Sequence, residues 1–248
     1  MSPLPWLQVA FAILVMLALG GLCYASWRLG PGQQRQQWFI GGSLGAFLFI
    51  AVSMMVVTNE GIAEWDGQIT QWADAIVPDK LATFFVGVGV AGSTLVLAPL
   101  IGTGASILWW KGQRQQALQL LTCTILTSLM IPLMKIVFAR ERPELAIVHI
   151  TGLSFPSGHT AAAAALAAWL VHFSDVLAKR RLVAISLVAA AFLWLALVAI
   201  SRLGLRVHYL SDVLGGAGLG IAVAGFTLAA SWPNVASKVT KPTHGERE

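Results

Sequence analysis

The chain has 248 residues, of which 57% are hydrophobic and 11% charged. A water-soluble domain of this size carries charge on about a quarter of its residues. The composition therefore excludes an ordinary soluble fold and indicates an integral-membrane protein. The formal net charge is +5, but the 16 basic residues form neither a long run nor a stripe interleaved with aromatic residues. This distribution argues against nucleic acid as a partner.

Seven apolar segments are long enough to cross a bilayer, which takes about 20 residues of helix. They lie at 4–27, 38–58, 84–110, 115–138, 158–177, 183–203 and 209–232. Tryptophan residues fall at several of the predicted ends, as in the aromatic belts of membrane proteins. The sequence therefore predicts an all-α fold, a polytopic bundle of transmembrane helices.

The first apolar run, at 3–27, lacks the basic n-region of a signal peptide and is too long for a signal-peptide core. We therefore expect it to be retained as the first span. The connection at 59–81 carries Trp65, Ile69, Trp72 and Ile76 at helical spacing. This spacing fits an amphipathic helix on the outer surface of the membrane, where it could shape lipid entry, although a plain connector is the favoured interpretation. The polar tail at 233–248 is predicted to be disordered.

The distribution of basic residues predicts the orientation in the membrane. By the positive-inside rule, the side that holds most Lys and Arg residues faces the cytoplasm. The residues that define this side are Arg28, Arg35, Lys111, Arg114, Lys179, Arg180, Arg181, Lys238, Lys241 and Arg247. We therefore expect the N-terminus outside, the C-terminus in the cytoplasm, and the remaining connections on the periplasmic or extracellular side.

Three short motifs fall on that outer side, together with more cations than the positive-inside rule favours there. The first is Lys135-x6-Arg142-Pro143. Residues seven apart lie on one face of a helix, so Lys135 and Arg142 are expected to converge where the fourth span ends. Arg presents a planar fork and Lys a point charge to phosphate oxygens. Ordinary anchoring of both side chains at the interface is an equal alternative for this motif alone.

The second motif, Pro156-Ser157-Gly158-His159, precedes the fifth span. Ser157 is a candidate N-cap, and the free amides of a helix start attract anions. Gly158 permits close approach of the backbone to a ligand. His159 would lie beside such an anion, where an imidazolium can protonate a departing oxygen. A Ser-Gly-His triplet is a weak signal when taken alone.

The third motif is Ser201-Arg202-x5-His208-x3-Asp212, between the last two spans. The spacing of four places His208 and Asp212 on one helical face if the last helix begins near them. A carboxylate that holds one imidazole nitrogen directs the other nitrogen towards a substrate. Arg202 adds a further cation. A simple interfacial pair of His and Asp is the alternative.

The sequence also contains Gly87-x-Gly89-x-x-Gly92, which matches a dinucleotide-binding fingerprint. We discount this match because it lies inside a predicted span, without the strand and turn that the fingerprint requires.

Taken in order, the three motifs resemble the signature of the type 2 phosphatidic acid phosphatase superfamily, which is K-x6-R-P, P-S-G-H and S-R-x5-H-x3-D. Every signature position is present. The resemblance covers about residues 38–232 and implies a six-span phosphatase core, preceded at 1–37 by an additional transmembrane helix with its cytoplasmic connection. The chain is similar in layout to bacterial phosphatidylglycerophosphate and undecaprenyl diphosphate phosphatases of this superfamily.

The resemblance also implies how phosphate is bound. Positively charged side chains hold the phosphoryl oxygens, and a helix start assists them. The residues at the matching positions are Lys135, Arg142, Ser157, Gly158 and Arg202. Because three fixed cations surround the phosphate in this interpretation, no metal ion and no cofactor are expected.

For catalysis, the resemblance implies that His208 attacks phosphorus and that Asp212 orients it. His159 protonates the leaving oxygen, and water then hydrolyses a phosphohistidine. The remaining histidines, His149, His172 and His244, match no signature position. We therefore expect hydrolysis of a lipid phosphate or diphosphate on the outer leaflet of the inner (plasma) membrane, with undecaprenyl diphosphate, phosphatidylglycerophosphate and phosphatidate as candidates.

Three other functions compete with this prediction. A phosphotransferase would use the same phosphohistidine and pass the phosphoryl group to a lipid acceptor instead of water. Vanadium haloperoxidases share the anion site, but they are larger soluble proteins. A transporter of anions or lipids is disfavoured because the sequence shows no inverted repeat and no pair of interrupted helices at mid-membrane. The sequence does not indicate an oligomeric state.

Overall fold

The computed structural model describes residues 5–27, 32–176 and 180–230, and this part of the chain is helical, without a strand. The α-helices are α1 (Pro5–Trp27), α2 (Gln33–Thr58), α3 (Asp66–Ile76), α4 (Asp79–Ala91), α5 (Thr94–Trp110), α6 (Arg114–Phe138), α7 (Gly158–Val176), α8 (Arg181–Gly204) and α9 (Leu210–Ala229). A short 3-10 helix at Gly61–Trp65 precedes α3. The predicted all-α class is confirmed.

The helices follow the predicted order of spans. Helices α2, α6, α8 and α9 are each long and apolar enough to cross a bilayer, and α4 with α5 would form a fifth, bent span. The predicted spans at 4–27 and 158–177 correspond to α1 and α7, which have 23 and 19 residues. Helix α1 packs against α2, α6 and α9. The division of the chain at residue 37 stays a prediction, and the tail at 233–248 lies outside the described residues.

The segment 84–110 is not the single continuous helix that its hydropathy predicts. It forms the end of α4 and all of α5, which meet at an angle of 45°. The break lies at Gly92 and Ser93. Glycine has a low helix propensity, and Ser93 has extended backbone angles (φ −74°, ψ 153°) immediately before α5 begins. The break lies next to a motif residue, since a Cβ atom at Gly92 would be 3.6 Å from Cδ2 of His159.

Helix α9 is the centre of the bundle. It contacts α1, α2, α6, α7 and α8, and nearly all of its residues from Ser211 to Ala229 are buried. Its packing against α2 is especially close, because small residues on both helices let the backbones touch. A Cβ atom at Gly225 would lie 2.4 Å from the Gly42 nitrogen, and one at Gly45 would lie 2.6 Å from the Ala222 nitrogen. In a bilayer, such close contact is a main source of helix association.

The connections at one end of the bundle converge on the start of α9. We call this the site end; α2, α6 and α8 finish there, and α7 and α9 begin there. The segment 139–157 crosses it, and the Ile147 amide donates to the Leu205 carbonyl. Helix α3 also lies there against α8 and α9. Its buried residues are Asp66, Thr70 and Ala73, whereas Trp65, Trp72 and Ile76 are exposed. The connection therefore contains an amphipathic helix, in which Trp72 and Ile76 face away from the bundle and Ile69 is partly buried.

The close contact between α2 and α9 yields a stability prediction. Gly225→Ala should destabilise the protein by about 1 to 3 kcal/mol, because the added methyl group meets the backbone of Gly42. Gly41→Ala is the matched control on α2, since a Cβ atom there meets nothing within 4 Å. Thermal unfolding in detergent should show a lower midpoint for Gly225→Ala and an unchanged or higher one for Gly41→Ala. Equal midpoints would contradict the described packing.

Candidate active site

The three sequence motifs meet at the site end of the bundle. The Ser157 amide of the second motif donates to the Asp212 carbonyl of the third at 2.9 Å. In the first motif, Nη1 of Arg142 donates to the Val207 carbonyl at 2.7 Å. The motifs therefore form one connected cluster, although 77 residues separate Lys135 from Asp212 in sequence.

In the first motif, both cations reach the cluster, but not from one helical face as the spacing predicts. Helix α6 ends at Phe138, and Ala139 has left-handed backbone angles (φ 46°), so Arg142 lies beyond the helix in the following loop. The Nζ atom of Lys135 donates to the Leu153 carbonyl at 2.5 Å, and Nε of Arg142 donates to the Gly152 carbonyl at 3.0 Å. The reversal of the chain at Ala139, rather than two helical turns, brings the two charges together.

In the second motif, the turn before α7 is held by aromatic packing. Phe155 is fully buried, stacks on Phe49 at 5.9 Å and meets Phe138 edge-on at 4.8 Å. Helix α7 begins at Gly158, which leaves Ser157 at the predicted N-cap position. The Ser157 hydroxyl is buried and lies 3.0 Å from the Thr160 hydroxyl. The motif therefore presents the helix start and the His159 ring, rather than the Ser157 hydroxyl, to the cavity.

In the third motif, His208 and Asp212 are paired as the spacing predicts. The distance from Nδ1 of His208 to Oδ2 of Asp212 is 3.3 Å. His208 lies just before α9, and the same Asp212 oxygen accepts the Tyr209 amide at 2.9 Å as part of a capping box. Burial lowers the pKa of His208 to about 4, although the adjacent Asp212 acts in the opposite direction. The imidazole is therefore neutral near pH 7, and Nε2 carries a lone pair when Nδ1 donates to Asp212.

Arg202 is buried at the end of α8, with 2% of its surface exposed. Its Nη2 atom donates to the Phe85 carbonyl at 3.3 Å, and its Nε atom donates to the Ser201 hydroxyl at 3.2 Å. The guanidinium also lies against Gly89, where a Cβ atom would come within 2.2 Å of Nη2. Only glycine at position 89 leaves room for this side chain, which gives the discounted glycine pattern a role in packing around the site.

The cations at the site end fall into two groups. Lys135, Arg142 and Arg202 donate to carbonyl and hydroxyl oxygens, and none of them makes an ion pair with a carboxylate within the described ranges. Arg140 and Arg206, in contrast, bind carboxylates. Neutral partners leave the charge of the first group uncompensated, so these three residues are suited to bind an anion.

A cavity of about 440 Å³ opens at this cluster. One end of it is lined by Lys135, Arg142, Gly158, His159 and His208. The cavity then runs between α5, α6 and α7 along mainly apolar side chains, as far as Leu120 and Trp169. From Lys135 to Leu120, it follows α6 for about 22 Å at 1.5 Å per residue. A polar end and a long apolar path fit an amphiphilic molecule with an anionic headgroup.

Some predicted site residues do not reach this cavity. Ser157 and Arg202 lie in the surrounding shell and do not line it. Asp212 is also behind it, as an orienting carboxylate should be. Nowhere in the described chain do three or more His, Cys, Asp or Glu side chains form a group that could hold a metal ion. The expectation of a metal-independent reaction stays a prediction.

Sequence reasoning missed Asp66, Arg140 and Ser211, which contact Asp212 or one another. Arg140 is one of the excess cations on the predicted outer side, and this excess could have marked it as a candidate site residue. No spacing could assign its partner, because Asp66 lies 74 residues away on a helix outside the three motifs.

Known proteins match both the sequence and the fold. Residues 116–236 match the model of the PAP2 superfamily. The chain is 31% identical over 181 residues to phosphatidylglycerophosphatase B of Bacillus subtilis (strain 168), a match that covers 71% of this chain and 87% of the relative.

Two crystal structures share the fold. One is a transmembrane PAP2-type phosphatidylglycerolphosphate phosphatase from Bacillus subtilis, with a TM-score of 0.63, 30% identity, and coverage of 75% of this chain and 94% of that one. The other is LpxE from Aquifex aeolicus, with a TM-score of 0.54, 24% identity, and coverage of 66% and 94%. The complete motif set, the helical bundle and these relatives agree, and the chain belongs to the PAP2 superfamily as a membrane-bound type 2 lipid phosphatase.

Proposed function

We propose that the protein hydrolyses a lipid phosphate or diphosphate on the outer leaflet through a phosphohistidine intermediate. The observation that carries this proposal is the cavity, which joins uncompensated cations and two histidines at one end to a long apolar path at the other. Undecaprenyl diphosphate, phosphatidylglycerophosphate and phosphatidate all combine a phosphate group with apolar chains. The similarity to phosphatidylglycerophosphatase B supports phosphatidylglycerophosphate as one of these candidates.

The phosphoryl group would bind among the three cations. Lys135 and Arg142 line the cavity and would contact its oxygens directly, with the amide of Gly158 at the start of α7. Arg202, from the shell, would add its charge and reach the phosphate by a shift of its guanidinium from the Phe85 carbonyl. Ser157 would support the turn. Charge stabilisation of this kind is the largest contribution that a protein makes to phosphoryl transfer.

The nucleophile would be Nε2 of His208. Its Nδ1 atom faces Asp212, and Nε2 lies 3.3 Å from Nη1 of Arg142, which directs it towards the phosphate-binding end of the cavity. Attack forms a bond from nitrogen to phosphorus while the bond from phosphorus to the leaving oxygen breaks. Asp212 stabilises the positive charge that develops on the ring.

His159 would complete both steps. It lines the same end of the cavity as His208, on the first turn of α7. With its ring protonated in the complex with the anionic phosphate, it gives a proton to the leaving oxygen in the first step. In the second step, it accepts a proton from water while the water oxygen attacks phosphorus, and the electron pair of the breaking bond returns to Nε2 of His208. The products are the dephosphorylated lipid and phosphate.

The distribution of charge supports an outward-facing site. Exposed basic residues cluster at the end of the bundle opposite the site end, where α5 finishes and where α6 and α8 begin. Lys111, Arg114 and Arg181 lie there, and Arg114 stacks over Trp109 at 5.3 Å. By the positive-inside rule, this end would face the cytoplasm, and the site end would face the periplasmic or extracellular side.

Replacement of the proposed nucleophile tests the reaction. His208→Ala should reduce phosphate release from the three candidate lipids to background, while the unmodified protein should retain its activity in EDTA. His149→Ala is the control, because His149 is exposed and belongs to no motif. The assay is phosphate release by purified protein in detergent, with thermal unfolding to verify folding. Activity retained by His208→Ala would exclude His208 as the nucleophile.

Cysteine labelling tests the orientation. In a chain without Cys23 and Cys123, Glu144→Cys places a thiol in the exposed loop at the site end, and Lys111→Cys places one at the opposite end. A membrane-impermeant maleimide applied to intact cells should label the first thiol and should label the second only after the membrane is permeabilised. The reverse pattern would place the site in the cytoplasm.

A further inference from the structure

A largely buried ion-pair network lies behind Asp212, and the proposed reaction gives it no role. Its central residue is Arg140, which occupies an unspecified position between Lys135 and Arg142 in the first motif. Arg140 uses both terminal nitrogens. Nη1 donates to Oδ1 of Asp212 at 2.8 Å, and Nη2 donates to Oδ2 of Asp66 at 2.8 Å.

The network has a second path to the start of α9. The buried carboxylate of Asp66 accepts the Ser211 amide at 2.9 Å and the Ser211 hydroxyl at 2.5 Å. Nη1 of Arg140 also donates to that hydroxyl at 2.7 Å. Asp66 has 3% of its surface exposed, so water does not compete for these contacts. Helix α3 is therefore hydrogen-bonded, through Asp66, to Ser211, the residue directly before Asp212.

These contacts determine the orientation of the Asp212 carboxylate. One of its oxygens faces Arg140, and the other accepts the Tyr209 amide and faces His208. The Arg140 guanidinium is itself stacked on the Tyr209 ring at 4.3 Å. With each oxygen assigned to different partners, rotation of the carboxylate would break several charge-assisted hydrogen bonds at once.

Arg140 is distinct from the cations assigned to phosphate. It does not line the cavity, and two carboxylates compensate its charge, whereas Lys135 and Arg142 contact only neutral oxygens or the imidazole. An arginine in this position acts on the carboxylate that orients the nucleophile rather than on the substrate.

We propose that Asp66, acting through Arg140 and Ser211, is a positioning residue that holds the Asp212–His208 pair in its reactive arrangement. Helix α3, which contributes no residue to the three motifs, is thereby part of the catalytic apparatus. This inference rests on the proposed roles of His208 and Asp212. It predicts a loss in the rate of the chemical step without a loss in phosphate binding, because misorientation of a nucleophile affects the transition state more than the bound substrate.

The same helix offers a matched control. Asp74 of α3 forms an ion pair with Arg206 of the loop before α9, but Asp74 is largely exposed and contacts neither Asp212 nor His208. Asp66→Asn and Asp74→Asn therefore make the same chemical change on one helix and remove one ion pair each. Only the first touches the proposed positioning network.

The experiment compares kcat, KM and inhibition by vanadate for Asp66→Asn, Arg140→Lys and Asp74→Asn in detergent. We expect Asp66→Asn and Arg140→Lys to lower kcat by about 10²-fold, the loss typical of a displaced reacting group. Their KM and vanadate inhibition constants should stay within about threefold of the unmodified protein, and Asp74→Asn should change none of these values. Arg140→Lys keeps the charge but cannot span both carboxylates, and it decides the question if Asp66→Asn does not fold.

Two results would overturn the inference. A kcat close to that of the unmodified protein in folded Asp66→Asn and Arg140→Lys would show that the network does not position the pair. Unchanged kcat with a raised KM and weaker vanadate inhibition would make Arg140 a phosphate ligand instead. If His208→Ala is active, the proposed nucleophile itself is wrong, and that failure is distinguishable because it does not depend on α3.

Discussion

The site depends on positive charge that the protein leaves without a carboxylate partner. Lys135, Arg142 and Arg202 converge at one end of a bundle made largely of apolar helices, and they donate to backbone carbonyl groups and a hydroxyl instead of to acidic side chains. Cations in such surroundings are expensive and are by default functional. In the proposed function, an anionic headgroup would supply the missing charge, and binding of the substrate and stabilisation of the cations would be the same interaction.

The bundle makes this arrangement possible by holding the start of α9 fixed. Helix α9 is buried over most of its surface and packs backbone to backbone against α2. Its first turn carries Asp212, whose carbonyl accepts the Ser157 amide and whose carboxylate faces His208 and Arg140. In the proposed mechanism, the carboxylates would therefore act on the nucleophile, while the three uncompensated cations would bind the phosphate. Of the five neighbouring cations, Arg140 and Arg206 are already paired with carboxylates, so we assign only the other three to phosphate binding.

The sequence predicted the helices and the motif residues well, and it failed where the chain leaves a regular helix. Long apolar runs predicted the positions of the long helices, and the spacing of His208 and Asp212 predicted their pairing. Arg142 lies beside Lys135 as predicted, but it does so from a loop and not from the same helical face. The reason is that α6 ends before Ala139, whose left-handed conformation helical periodicity does not reveal. The break between α4 and α5 was missed for a similar reason, since hydropathy is continuous across Gly92. The contact between Asp66 and Arg140 is a tertiary pairing that no local pattern encodes.

The central claim, a covalent intermediate on His208, is tested most directly by trapping it. Purified protein mixed with a lipid carrying a ³²P-labelled terminal phosphate would be quenched in alkali at successive times within one turnover, and the labelled residue would be located by mass spectrometry of its peptides. We expect transient label on His208 that appears before free phosphate and is absent from His208→Ala. Release of phosphate in a single turnover with no labelled protein at any time, or with label on another residue, would contradict it.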